Sequence, residues 1–317
     1  MAVRIVSLLP SATELLFAIG AGDMVVAVTH ECDYPAEATV LPRVTGNALD
    51  YEGAPPGEID RHIKRALHSG SSIYHLDERL LQKLRPDLIV TQELCEVCAV
   101  SYGQVRRAVR TLPGDVPVVS LEPGSLDDIM ATALVLGEAT GRQEGAEALV
   151  ASMRQRVEGL ERATPRSGGP PRVACIEWTE PLMVGGHWVP EMVARAGGRD
   201  VLGEAREPSR YVDWAAVCEA DPDVMVMMPC GYDLDRACAL AHEVTERPGF
   251  EQLSCARSGR VVAVDGSAYF NRPGPRIVDG LAILTEAFAA EPGAPLRTGA
   301  RWLALDSPAQ LASRGGG

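Results

Sequence analysis

Two cysteines that lie three residues apart are the residues of this chain most clearly suited to chemistry. Cys95 and Cys98 belong to the stretch TQELCEVCAVS, which follows directly on an apolar run typical of a buried strand. A Cys-x-x-Cys pair in this position can form a redox couple, supply half of a metal site, or occur by chance. The pair by itself does not choose among these three.

Two further thiols follow other predicted strands. Cys32 stands in HECDYP after the run MVVAVT, and Cys230 stands in CGYD after the run DVMVMMP. Four thiolates match a tetrahedral zinc site or an iron–sulfur cluster. We therefore expect the four cysteines to form one metal or cluster site, with a redox pair or unconnected loop thiols as alternatives. His30, close to Cys32, could add a ligand or orient one.

A second group of candidate residues is aromatic or basic. Only 5% of the residues are aromatic, yet several of them follow predicted strands. Aromatic side chains that line a cleft suit a large flat ligand. The predicted ligand-binding residues are Trp178, His187, Trp188, Tyr269 and Arg272. Two alternatives stay open: Trp188 could fix its helix to the sheet, and Arg272 could hold an anionic ligand group or cap the following helix.

The elements that must position these residues alternate between short apolar runs and helical patterns, which predicts an α/β protein with mainly parallel sheets. We expect two Rossmann-like lobes joined by one long helix that is interrupted only near ATGRQEG. Ligands of such sheets bind beyond the carboxyl ends of the strands, so two facing lobes predict a cleft. The expected parts are an N-terminal lobe (1–124), a linking helical region (125–165), a C-terminal lobe (166–290) and a peripheral tail (291–317).

Composition excludes several classes of function. The formal net charge of −13 argues against binding nucleic acid or an anionic membrane surface. The absence of a long apolar run predicts no membrane insertion. The first strand begins at Val3 and leaves no room for a secretory signal, so the expected location is the cytoplasm, where the eight cysteines would stay reduced. No phosphate loop, nucleophile elbow or HExxH motif is present, which favours a binding protein over an enzyme.

The opening RIVSLLPSATELLFAIGAGDMVVAVTHECDYP resembles that of substrate-binding proteins for cobalamin and ferric siderophores. RPDLIVTQ, EPGSLDDI and ADPDVMVMMP are similar to the corresponding strand entries, and HECDYP, ELCEVCAVS, MPCGYDLDR and YFNRPGPRIVDG resemble a cytosolic-type subgroup labelled cobalamin-binding. The resemblance covers roughly residues 3–290. It implies the class III periplasmic-binding-protein fold, with a cleft that captures one bulky ligand. For the exported members it also implies docking onto an ABC transporter.

One leading hypothesis and two alternatives follow. The leading hypothesis is a binding protein that holds a corrinoid, such as cobalamin, or another metal-containing ligand between two lobes, with an iron–sulfur cluster or zinc on the four thiols. The first alternative is an iron–sulfur metalloenzyme built on the binding-protein fold. The second is a metal chaperone whose thiols hand on zinc or copper.

Overall fold

The computed structural model of the chain describes residues 3–48, 53–68, 73–92, 102–112, 114–164 and 169–305. The chain divides into two compact units. Unit 1 comprises Met1–Pro123 and Asp127–Met153, and unit 2 comprises Gly124–Leu126 and Arg154–Gly317. Both are built from strands and helices in alternation, as the sequence predicted.

Unit 1 is organised around a parallel sheet with the strand order β2-β1-β5-β6. The described strands are β1 (Ile5–Ser7), β2 (Val25–Ala27), β3 (Thr45–Asn47), β4 (Tyr74–Leu76), β5 (Leu88–Thr91) and β6 (Val118–Ser120). The described helices are α1 (Pro10–Ala18), α2 (Pro56–His68), α3 (Glu78–Leu84), α4 (Tyr102–Val109) and α5 (Leu126–Thr140), and α6 (Gln143–Ala163) begins in this unit. Strands β3 and β4 form a separate antiparallel pair. β1 and β5 are buried throughout, as expected for parallel strands covered on both faces.

The expected linking helical region consists of two helices, divided within ATGRQEG, where the sequence predicted an interruption. Gly141 has a φ of 70°, a left-handed conformation that ends α5, and α6 starts two residues later. The amide of Arg142 donates to the carbonyl of Gly137 across this turn (2.8 Å). The boundary between the two units falls further along, inside α6, between Met153 and Arg154.

Unit 2 contains a larger, mixed sheet. The described strands are β7 (Arg172–Thr179), β8 (Leu182–Val184), β9 (Arg199–Asp200), β10 (Arg210–Tyr211), β11 (Val224–Met227), β12 (Val261–Val264) and β13 (Ala300–Trp302). The described helices are α7 (Val189–Arg195), α8 (Trp214–Ala220), α9 (Leu234–Thr245), α10 (Ser254–Arg257), α11 (Gly266–Tyr269) and α12 (Ile277–Ala289). The strand order is β10-β8-β7-β11-β12-β13, with β9 beside β7. Strands β7, β11 and β12 are parallel neighbours, whereas β8, β10 and β13 pair in antiparallel fashion.

Part of the expected C-terminal tail belongs to this sheet. Residues Ala300–Trp302 form β13, in which Trp302 pairs with Val262 and Ala300 with Val264. The run ARW follows a segment rich in Gly and Pro and is too short to show a period, so the sequence pattern did not reveal it. Among the residues that the structure describes, no helix has the length and apolar character needed to cross a bilayer.

Candidate functional site

The ends of neighbouring strands place three of the candidate residues of unit 2, Trp178, Tyr269 and Arg272, along one edge of its sheet. Because β7, β11 and β12 are parallel, their carboxyl ends meet at the same edge, which we call the carboxyl edge. Hydrogen bonds connect the loops that follow: the amide of Cys230 donates to the carbonyl of Glu177 (3.0 Å), and that of Ser267 to Tyr232 (3.2 Å). The loops therefore form one continuous surface.

Close packing of the backbone holds this surface together at Gly266, the first residue of α11. A side chain there would bring its Cβ to 2.7 Å from the carbonyl oxygen of Met228 and to 2.6 Å from that of Pro229. Only glycine allows the loop after β12 to lie this close to the loop after β11. The position therefore fixes the spacing of the two loops.

Trp178 lies near the end of β7 and stacks against Tyr232 from the loop after β11. Their ring centroids are 5.8 Å apart and the ring planes are inclined by 18°. The indole nitrogen of Trp178 donates to the carbonyl of Glu180 (3.0 Å), which sets the orientation of the ring. Both side chains are half-buried, so the carboxyl edge carries an aromatic pair that solvent can reach.

Tyr269 and Arg272 follow the third strand, β12, and are also half-buried. The ring of Tyr269 packs against Gly299, and the guanidinium carbon of Arg276 lies 5.8 Å from its centroid. Nearby, burial raises the pKa of Asp265, while Arg276 and Arg272 act in the opposite direction. The loop after β12 therefore combines an aromatic ring with the guanidinium groups of Arg272 and Arg276 and the carboxyl group of Asp265.

His187 lies in a constrained turn before α7. Its φ is 52°, in the left-handed region, and its amide donates to the carbonyl of Glu207 (2.6 Å) while its carbonyl accepts from Arg206 (2.8 Å). Burial lowers the pKa of His187, which keeps the imidazole neutral at pH 7. A neutral ring with a free lone pair is the form that can bind a metal centre. Strained residues of this kind are often found at functional sites.

Trp188 differs from the other predicted ligand-binding residues because it is buried. Only 7% of its surface is exposed, and its indole nitrogen donates to the carbonyl of Phe270 (2.8 Å). Its ring stacks on His187 with centroids 5.6 Å apart. Trp188 therefore supports the loops that carry His187 and Tyr269, which matches the structural alternative rather than direct ligand contact.

Glu177, Ser209 and Tyr232 are additional residues at or near the carboxyl edge that the sequence did not single out as ligand contacts. The hydroxyl of Ser209 donates to Glu177 Oε2 (2.9 Å) and accepts from the amide of Gly186 (3.1 Å). Tyr232 could have been found by the same rule that identified Trp178, since it lies only two residues beyond Cys230 in the same strand-end loop.

In unit 1, His30 lies after β2 and contacts the β3–β4 pair. Its Nδ1 is 2.7 Å from Thr45 Oγ1, and its Nε2 is 2.9 Å from Asn47 Oδ1 and 3.2 Å from Glu31 Oε1. Burial lowers the pKa of His30, but hydrogen bonds to Glu31 and Asn47 outweigh it, and the pKa is raised. These contacts favour a protonated imidazole, which does not bind metal.

The four-cysteine site stays a prediction. Cys95 and Cys98 lie outside the described residues. Cys32 is buried, with 1% of its surface exposed and its Sγ 3.1 Å from Thr13 Oγ1, while Cys230 is half-buried. Within the part of the chain that the structure describes, no group of three or more His, Cys, Asp or Glu side chains is arranged to hold a metal.

Comparison with known proteins agrees with the α/β architecture of the chain. A family model described as "Periplasmic binding protein" matches residues 5–268. The chain belongs to this periplasmic binding protein family. It is 27% identical over 283 residues to a vitamin B12-binding protein of Vibrio cholerae, which covers 88% of this chain and 87% of that protein.

Solved structures of the same fold include other periplasmic binding proteins. The periplasmic vitamin B12 binding protein BtuF of Vibrio cholerae superimposes with a TM-score of 0.64 and 21% identity, over 90% of this chain and 96% of that one. The periplasmic heme-binding protein RhuT from Roseiflexus sp. RS-1 gives a TM-score of 0.68 and 23% identity, over 91% and 98%. These matches confirm the predicted class III periplasmic-binding-protein fold.

The predicted cytoplasmic location is wrong. The family is described as periplasmic, and both solved structures named above are of periplasmic proteins. The expectation rested on the apparent start of the first strand near Val3, which is a weak basis for a location. The argument that a reducing cytoplasm excludes disulfides loses its basis too, although the six described cysteines are all free.

Proposed function

We propose that this protein binds a corrinoid, or another metal-containing macrocycle such as heme, at the carboxyl edge of unit 2. The observation that carries the proposal is the gathering of Trp178, Tyr232, Tyr269 and Arg272 at the ends of three neighbouring parallel strands. Flat rings suit the faces and rims of a macrocycle, and a guanidinium suits an anionic substituent.

The relatives support the same class of ligand. The protein of Vibrio cholerae is named for vitamin B12 and the structural neighbour RhuT for heme, and both ligands are large, flat rings around a metal. His187, with its neutral imidazole, is the described residue best suited to approach such a metal from unit 2. In keeping with the family, we propose that the binding takes place in the periplasm and that an ABC transporter receives the ligand.

Calorimetric titration of the purified protein with cyanocobalamin and with hemin tests the proposal. We expect one of them to bind with a dissociation constant in the micromolar range or below. Trp178→Ala should weaken that binding about tenfold, which corresponds to about 1.4 kcal/mol. The matched control is Trp302→Ala, because Trp302 pairs with Val262 in the first half of β12, away from the carboxyl edge.

Two results would overturn the proposal. The first is that neither compound binds wild type at high micromolar concentration. The second is that Trp302→Ala weakens binding as much as Trp178→Ala does. The two alternatives, an iron–sulfur enzyme and a metal chaperone, stay predictions, because Cys95 and Cys98 lie outside the described residues.

A further inference from the structure

The aromatic pair of the carboxyl edge continues into a third side chain, Arg236, in the first turn of α9. Its guanidinium carbon lies 5.6 Å from the centroid of the Tyr232 ring, which itself stacks on Trp178. Burial raises the pKa of the Tyr232 hydroxyl, and the charge of Arg236 acts against that rise. Trp178, Tyr232 and Arg236 therefore form one continuous group, which we call the edge stack. Arg236 is its exposed member.

We infer that the edge stack selects ligands that carry a carboxylate or phosphate at the rim of a planar ring system. The rings of Trp178 and Tyr232 would contact the macrocycle, and Arg236 would bind the anionic substituent. This inference rests on the proposed function, since it specifies the chemistry of the ligand at the same edge.

The chemistry of the guanidinium group supports this assignment. The guanidinium of Arg236 lies over the Tyr232 ring and also interacts with the Tyr232 hydroxyl, and these contacts hold it in place. A guanidinium has five N–H donors, so others remain for a ligand. Those donors match the two oxygens of a carboxylate or phosphate, which they can bind in bidentate fashion. A lysine ammonium is a point charge that offers neither the planar stacking nor the paired donors.

The acidic residues nearest in sequence are engaged elsewhere. Asp233 caps α9, where its Oδ1 accepts the backbone N–H of Arg236 (2.9 Å). Asp235 Oδ1 lies 3.1 Å from Arg301 NH2, from β13. Both carboxylates therefore already have cationic or N–H partners, which reduces their competition with a ligand for the Arg236 side chain.

Two matched pairs of compounds test the inference by calorimetric titration. Hemin carries two carboxylates, which its dimethyl ester lacks, and cyanocobalamin carries a phosphodiester, which dicyanocobinamide lacks together with the ribose and benzimidazole of the nucleotide; the comparison for each compound is therefore between protein variants. The proteins to compare are wild type, Arg236→Gln, Arg236→Lys and the control Arg257→Gln. Arg257 is also exposed, but it lies on α10, which leads into the amino end of β12 at the opposite edge of the sheet.

For whichever pair binds, Arg236→Gln should weaken the binding of the compound that carries the carboxylate or phosphate about tenfold, as expected for the loss of one charge-assisted hydrogen bond. The affinity for the compound that lacks this group should not change. The affinity of Arg236→Lys for the compound with the anionic group should lie between those of wild type and Arg236→Gln. The affinity of Arg257→Gln should equal that of wild type. Unfolding curves check that the variants fold, and we expect no change because Arg236 is exposed.

The possible failures are distinguishable. If wild type binds neither pair, the proposed function is overturned together with this inference. If wild type binds one of the pairs and Arg236→Gln binds the compound with the anionic group equally well, only the inference is overturned. The inference would also be overturned if Arg236→Gln lost the same affinity for both compounds of a pair, because the effect would then not depend on the anionic group.

Discussion

Gly280, the fourth residue of α12, offers a sharp test of how the carboxyl edge is packed. A Cβ at this position would clash with the carbonyl oxygen of Tyr269, and would lie 3.1 Å from its carbonyl carbon and 3.0 Å from Met192 Cε. The obstructing atoms are mainly backbone, so α11 or α12 must move to admit a methyl group. The variant Gly280→Ala should therefore lose stability.

The magnitude follows from two opposing effects. Replacing glycine by alanine in a helix interior gains about 1 kcal/mol. Overpacking costs about 1–3 kcal/mol, and a clash with backbone belongs at the upper end of that range. We expect a net loss of about 1–2 kcal/mol for Gly280→Ala.

Gly159→Ala is the matched control, because Gly159 also lies in a helix of unit 2 and a Cβ there meets nothing within 4 Å. It should gain about 1 kcal/mol from helix propensity alone. At about 2–4 °C per kcal/mol, the two variants should differ in Tm by roughly 4–12 °C. The assay is thermal unfolding by circular dichroism, following the transition of unit 2. If Gly280→Ala proves as stable as Gly159→Ala, the close approach of α12 to Tyr269 is refuted.

Three further predictions concern single side chains. Trp188→Phe should lose about 1–3 kcal/mol in urea unfolding, because it leaves the carbonyl of Phe270 without its donor; an unchanged midpoint would contradict this. His30 has a raised pKa in the folded state, so its stabilising effect is complete below about pH 6.5 and is lost as the pH rises through the folded-state pKa. The stability difference between wild type and His30→Gln should accordingly shrink between pH 6 and pH 8, and a growing difference would refute the assignment. Burial raises the pKa of Cys255 to about 12, so iodoacetamide at pH 8 should label Cys230 well before Cys255, as read by mass spectrometry of digests; equal labelling would show that Cys255 is accessible.

Local patterns in the sequence predicted the position of part of the candidate site in the fold. Trp178, Tyr269 and Arg272 follow apolar runs that are visible in the sequence, and the structure places them at the carboxyl ends of parallel strands, as the rule for α/β sheets predicts. The break between α5 and α6 was also visible as ATGRQEG.

What the sequence could not reveal depends on contacts between distant residues. Trp188 is buried, and its indole nitrogen donates to the carbonyl of Phe270, 82 residues further along the chain. No local sequence pattern predicts a contact between residues so far apart. The burial of Cys32 likewise results from its packing beside Thr13 on α1. Tyr232 was not predicted as a ligand contact for a different reason. Its loop also contains Cys230, and that thiol was interpreted as a metal ligand.

The short strand β13 determines how far unit 2 extends along the chain. The match to the family model ends at residue 268, yet α12 and β13 follow that point, and β13 pairs with the last parallel strand of the sheet. A chain cut at the end of the family match would leave the four buried residues of β12 as an edge strand with unpaired backbone groups. Such an edge can recruit other chains, and β13 replaces it with a three-residue edge strand that carries the exposed Arg301, which is a poorer template for self-association.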